Sequence, residues 1–244
     1  MLRAPVRPPG LLEGALPADE AVRGIVVANL VTIAVAFFDG SLLLLLWPYW
    51  LQSLIIGYYA QRRIRLLQRF STTGLKINDQ SVDPTPATRR RTANFFVLHY
   101  GLFHLVYFFF LWTFTSTADS GGMISVLMRN TGRVNQVAVG RVGGIDVLII
   151  VALALGFLWT HRASFREHVA ADLEGTPNLG TLMFMPYVRI IPMHLTIILG
   201  VIIGARGGII IFGALKTVAD VLMHKIEHKL LQQMSGAAPV TPPT

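Results

Sequence analysis

The sequence predicts an all-α, polytopic transmembrane helix bundle of about six spans, with both termini on the cytoplasmic side. Three observations lead to this fold class. The 244-residue chain is 53% hydrophobic and only 14% charged, whereas a soluble domain carries about 25% charged residues. Its mean hydropathy is +0.56, and its apolar runs reach the roughly 20 residues a helix needs to cross a bilayer core. Its basic residues also fall largely on one side of the layout these runs define.

The elements follow in order. Residues 1–21 are Pro-rich and mildly charged, and read as an N-terminal tail without the short basic start of a secretory signal. Residues 24–60 are apolar almost throughout, far too long for one span at ~1.5 Å per residue. The turn signal FDGS at Phe38–Ser41 divides this run into spans near 22–38 and 41–60. A third span near 93–115 is dense in aromatics, and a fourth lies near 143–160. The run from 190 to 228 is again too long, and the stretch ARGG at Ala205–Gly208 divides it into spans near 189–205 and 208–230. Together these make a bundle over 22–230, followed by a disordered C-terminal tail over 231–244. A five-span variant, with one short hairpin re-entrant, is the alternative.

Charge orients the bundle. The loop 61–92 carries Arg62, Arg63, Arg65, Arg69, Lys76, Arg89, Arg90 and Arg91 against only Asp79 and Asp83, which assigns it to the cytoplasm. Alternation then puts loop 161–188 and both termini on the same side. Of the 21 Lys and Arg, only Arg129, Arg133, Arg141 and Arg206 fall on the far side, with Lys216 inside a span. The formal net charge of +8 therefore reads as a topology signal, and no nucleic-acid partner is expected. The expected partner is the lipid bilayer of the plasma (inner) membrane, with a homo-oligomer or a membrane complex as further assembly. With no cysteine, disulfides, thiolate chemistry and Cys-based metal sites are excluded. The aromatic cluster Trp47, Pro48, Tyr49, Trp50 reads as helix-packing surface.

Ionisable groups inside a bilayer are costly, so each needs a partner or a water-filled cavity. His99, Tyr100 and His104 lie on the third span, His194 on the fifth, and Lys216, Asp220, His224 and His228 at four-residue spacing on the sixth. Counting from the nearest cytoplasmic charges at ~1.5 Å per residue, His99 and Asp220 lie about 12 Å deep, His194 about 7 Å and His224 about 6 Å. His104 lies deeper, near ~19 Å, and His228 reaches the surface. His99, His194, Asp220 and His224 are thus the candidate metal ligands. Three imidazoles and a carboxylate suit zinc, or iron or manganese, with an open position for water. Tyr100 or Lys216 would stabilise an oxyanion, while a haem between His99 and His194 is a weaker expectation. These residues support two sharper readings than a membrane protein of unknown activity: a metal-dependent intramembrane hydrolase acting on lipid or peptide, and a proton- or ion-coupled transporter using Lys216 and Asp220. The pair His224/His228 within HKIEH also reads H-x-x-E-H, an inverted zinc-protease pattern.

The segments WPYWLQSLIIGYYAQRRI, FFVLHYGLFHLVYFFFL, RIIPMHLTIILG and KTVADVLMHKIEH together resemble a family of prokaryotic multi-pass membrane proteins classed only as a domain of unknown function. That resemblance implies a membrane fold over roughly residues 24–230 and no defined activity. More loosely, the His-x-x-x-His pair near the end of the last span is similar to the adiponectin-receptor and alkaline-ceramidase superfamily. That likeness implies a zinc-dependent lipid amidase plan and carries over only to His224 and His228. The chain departs from that superfamily in having about six spans where the superfamily has seven.

Overall fold

A computed structural model describes residues 18–39, 41–117 and 142–236. The expected tails over 1–21 and 231–244 and the far-side loop 116–142 lie largely outside these described residues. Among the described residues six helices run in the order α1 (Ala18–Asp39), α2 (Leu43–Leu66), α3 (Pro86–Thr117), α4 (Gly144–Glu174), α5 (Leu179–Phe184) and α6 (Ile190–Gly236). A 3-10 turn over Met185–Arg189 joins the last two.

Leu43–Leu66, Pro86–Ser116, Gly144–Glu174 and the segment Leu179–Ile198 are long and apolar enough to cross a membrane, and Asn29–Asp39 is a shorter apolar helix. Their outward faces match that composition. Leu98 is 75% exposed, Leu148 70% and Trp159 79%. Contiguous apolar surface of this kind is foreign to water and ordinary in lipid.

The core lies along α2, which packs against both α3 and α4. Tyr49, Leu43, Leu46 and Ile64 from α2 are buried with Phe96 and Leu111 from α3, and with Ile209 and Phe212 from α6. The expected packing role of the Trp-Pro-Tyr-Trp cluster is realised in detail. Trp47 Nε1 donates to Thr115 Oγ1 at 3.0 Å, Trp50 Nε1 donates to the His104 carbonyl at 3.0 Å, and the two indoles meet edge to face. Gly57 lets α3 approach closely, because a Cβ there would collide with the Tyr100 ring. Asp146, which the sequence places inside a span, instead caps α4: its Oδ2 accepts from the Gly143 N–H at 2.7 Å.

The basic ends of the helices are pinned together. Arg63 forms a bidentate pair with the buried Asp172, at 2.8 and 3.0 Å. Arg69 donates to the terminal carbonyls of Leu173 and Glu174, where a cation complements the helix dipole. Ser71 N donates to Pro177 O and Leu179 N to Ser71 O, a parallel bridge joining the loop after α2 to the loop after α4. The loop after α2 also holds a feature absent from the all-α expectation. Lys76–Ile77 and Gln80–Ser81 form a two-residue hairpin, turned by Asn78 and Asp79 with φ of 52° and 61°. Positive φ at both central residues is the signature of the turn that matches strand twist.

Helix α6 cannot be straight. Thirty-one positions separate Arg189 from Asp220, which a straight run would set about 46 Å apart, yet their side chains meet at 2.9 Å. Met185 and Pro186 share a cavity with Met223, and Phe184 and Val188 share another with Ile226. The element therefore folds back on itself, and the midpoint of 189 and 220 falls beside Ala205–Gly208. Two antiparallel limbs result. The second packs along α1, where Gly213 leaves room for Ile33 that a Cβ would occupy.

Candidate functional site

The fold-back assembles a charged centre from three separated segments. Asp220, on the second limb of α6, accepts from Arg189 Nη2 at 2.9 Å through Oδ1. Through Oδ2 it accepts from Lys216 Nζ at 2.6 Å and from Asn29 Nδ2 at 3.1 Å. Lys216 Nζ also donates to Asn29 Oδ1 at 2.6 Å. Asn29 comes from α1, Arg189 from the 3-10 turn, and the remaining pair from one helical turn of α6. The i, i+4 spacing of Lys216 and Asp220 stacks them on one face; the fold-back supplies Arg189.

The aromatic wall comes from α2 and α4. The Tyr49 ring lies 5.7 Å from the Arg189 guanidinium carbon and 5.8 Å from Lys216 Nζ, while Phe157 lies 5.9 Å from the guanidinium on the other side. Phe212 braces Tyr49 edge to face at 5.1 Å. The side chains of Arg189, Lys216 and Asp220 are only 13%, 19% and 10% exposed. Two cations thus face one carboxylate in an aromatic, water-poor setting. Arg189 Nε and Nη1 and the Tyr49 hydroxyl are buried without a hydrogen-bond partner among the described residues.

The four expected metal ligands are not brought together. Among the described residues no three His, Asp or Glu side chains converge on a point that could hold a metal ion. His99 is hydrogen-bonded through Nδ1 to Tyr187 Oη at 2.9 Å and stacks on Phe95. His194 is hydrogen-bonded through Nδ1 to Tyr107 Oη at 3.2 Å, so these two histidines meet separate phenols. Asp220 is committed to the cations, and His224 sits half-buried one turn beyond it. The side chain of His228 lies outside the described residues, so the His224/His228 pair is not described as a unit.

The other polar candidates serve packing. Tyr100 donates to the Ser53 carbonyl at 3.0 Å, and His104 donates through Nδ1 to the Tyr100 carbonyl at 2.9 Å. The physical reason for the difference is azimuth. Depth along a helix says nothing about which way a side chain faces, and His99, His194 and Asp220 face different neighbours.

Sequence reasoning missed Arg189 and Asn29 as members of the centre. Arg189 served there as a marker of the membrane surface. Its signal was available in the hairpin register: with a break at Ala205–Gly208, position 189 lies opposite position 220. Asn29 gave no comparable signal beyond being polar in an apolar run.

No curated protein and no solved structure matches this chain. Residues 12–237 match the family of unknown function DUF6498, and the chain belongs to that family.

Proposed function

We propose that this protein is a multi-pass integral membrane protein of the plasma (inner) membrane that moves a proton or small ion through its charged centre. The four long apolar helices supply four spans, and α1 with the second limb of α6 supplies two more. Both termini then lie on the cytoplasmic side. The joining of loops 61–92 and 161–188 by backbone hydrogen bonds supports that topology, since it keeps the two basic segments on one side.

The observation that carries the transport reading is the sharing of Asp220 between Lys216 and Arg189. A purely structural tie between helices is made at lower cost by neutral amides, because desolvating three charges is expensive. Among the described residues, two cations against one carboxylate leave one positive charge without a counter-charge, and loss of a proton from Lys216 neutralises the centre. A lysine can make that exchange; an arginine cannot. Metal-dependent hydrolysis lacks comparable support, since among the described residues no three His, Asp or Glu side chains converge.

Purified protein in liposomes loaded with a pH-sensitive dye tests the proposal. Wild type dissipates an imposed pH gradient, and Asp220→Asn, still monodisperse in detergent, does not. Wild-type liposomes as tight as empty ones, or an Asp220→Asn flux equal to wild type, would refute it.

A further inference from the structure

A second feature lies on the outer surface, between α2 and α4. There a groove of ≈ 510 Å³ is lined by Arg62, Arg162 and Arg166 at one end and by Leu155, Leu158 and Trp159 at the other. On α4 the spacing 155, 158, 159, 162, 166 is one helical face. That face changes from apolar to cationic along its length, over about 16 Å between positions 155 and 166.

Among the described residues the three arginines have no acidic partner. Among the described residues the ion pairs are Arg63–Asp172, Arg189–Asp220 and Lys216–Asp220. Arg62 makes one long hydrogen bond, 3.4 Å to Tyr58 Oη, and its guanidinium carbon lies 5.9 Å from the rings of Tyr58 and Phe165. Those rings hold the guanidinium in the groove without neutralising it. Asp172, the buried carboxylate nearby, is already taken by Arg63. Glu167 is exposed and does not line the groove. Trp159, 79% exposed and one turn from Arg162, has the position of an interfacial aromatic, with apolar α4 on one side and guanidinia on the other.

We propose that this groove binds an anionic phospholipid, with its phosphate on Arg62, Arg162 and Arg166 and its acyl chain along Leu155, Leu158 and Trp159. The ligand's polarity runs the same way as the groove's: a bidentate anion acceptor at the head and hydrocarbon behind it. An acidic soluble partner would match the guanidinia but not the apolar half, which opens onto the exposed face of α4. The assignment rests on the membrane reading above. It does not depend on transport, because the groove is separate from the Asp220 centre.

Delipidated full-length protein is titrated with phosphatidylglycerol and with phosphatidylcholine in mixed micelles, and bound lipid is counted by native mass spectrometry. Wild type favours phosphatidylglycerol. Arg162→Gln/Arg166→Gln loses about 25-fold of that preference, near fivefold for each guanidinium. Arg90→Gln/Arg91→Gln, which removes the same charge from exposed positions near the start of α3, keeps it. Equal binding of the two lipids by wild type, or an equal loss in the Arg90/Arg91 control, overturns the site. Matching melting temperatures among the variants exclude misfolding as the cause. An alkaline wash of membranes separates the two failures: a chain released by the wash refutes the membrane reading itself, whereas a retained chain without lipid preference refutes only this groove.

Discussion

Arg189 Nη2 lies 2.9 Å from Asp220 Oδ1, across thirty-one positions of sequence. The contact exists only because α6 doubles back, and it turns a lysine–aspartate pair along one helix into a centre shared by α1, the 3-10 turn and the second limb of α6. The same pair decides the chemistry available there, since it leaves two cations for one carboxylate.

Lys216 separates proton exchange from simple charge balance. Lys216→Arg keeps the positive charge and can keep the pairing with Asp220, but arginine holds its proton throughout the physiological range. The expected outcome is a folded protein whose proton flux in liposomes falls to the Asp220→Asn level. Full flux in Lys216→Arg would remove Lys216 from the proton path.

The Arg63–Asp172 pair is a purely structural contrast. Asp172 is 2% exposed, so Asp172→Ala leaves a largely buried guanidinium uncompensated. The expected cost is about 3–5 kcal/mol, read as a lower thermal midpoint in detergent. Replacing both partners with apolar residues, Arg63→Met with Asp172→Leu, is expected to recover most of that loss. Proton flux at a matched folded fraction is expected to be unchanged in both variants.

His194 acts as the hydrogen-bond partner of Tyr107. Tyr107→Phe and His194→Ala should each remove that bond, worth about 0.5–1.5 kcal/mol. In a double-mutant cycle the two losses should therefore fail to add. Fully additive losses would show that His194 spends its imidazole elsewhere.

Gly57 sets the distance between α2 and α3. The Tyr100 ring over it is 4% exposed and its hydroxyl is bonded to the Ser53 carbonyl, so the ring has little room to retreat. Gly57→Ala is expected to cost about 1–3 kcal/mol in thermal unfolding, as overpacking does. A gain in stability would mean that the helices are spaced more loosely.

Much of the architecture is legible in the sequence because apolar runs and Gly-rich breaks report directly on helices and reversals. α2, α3 and α4 each contain an apolar run read beforehand, although α3 begins at Pro86 and α4 continues to Glu174. An apolar run marks the membrane-compatible part of a helix; charged turns such as Arg89–Arg91 continue the same helix beyond it. The candidate site was half legible. Lys216 and Asp220 stand out as charges in an apolar run, and their four-residue spacing pairs them. Depth alone, however, groups His99 and His194 with Asp220. Helix rotation separates these side chains, turning the histidines toward Tyr187 and Tyr107, and a linear count of residues carries no information about rotation between helices.

The meeting of Arg189 and Asp220 requires the fold-back of α6, and distance measurement tests that fold-back directly. The chain has no cysteine, so Phe184→Cys/Ile226→Cys gives two unique attachment points for spin labels at exposed positions lining one cavity. Double electron–electron resonance on that doubly labelled protein should give a distance at the short limit of the method. A distance near the ~55 Å of a straight helix between 190 and 226 would contradict the fold-back, and with it the meeting of Arg189 and Asp220.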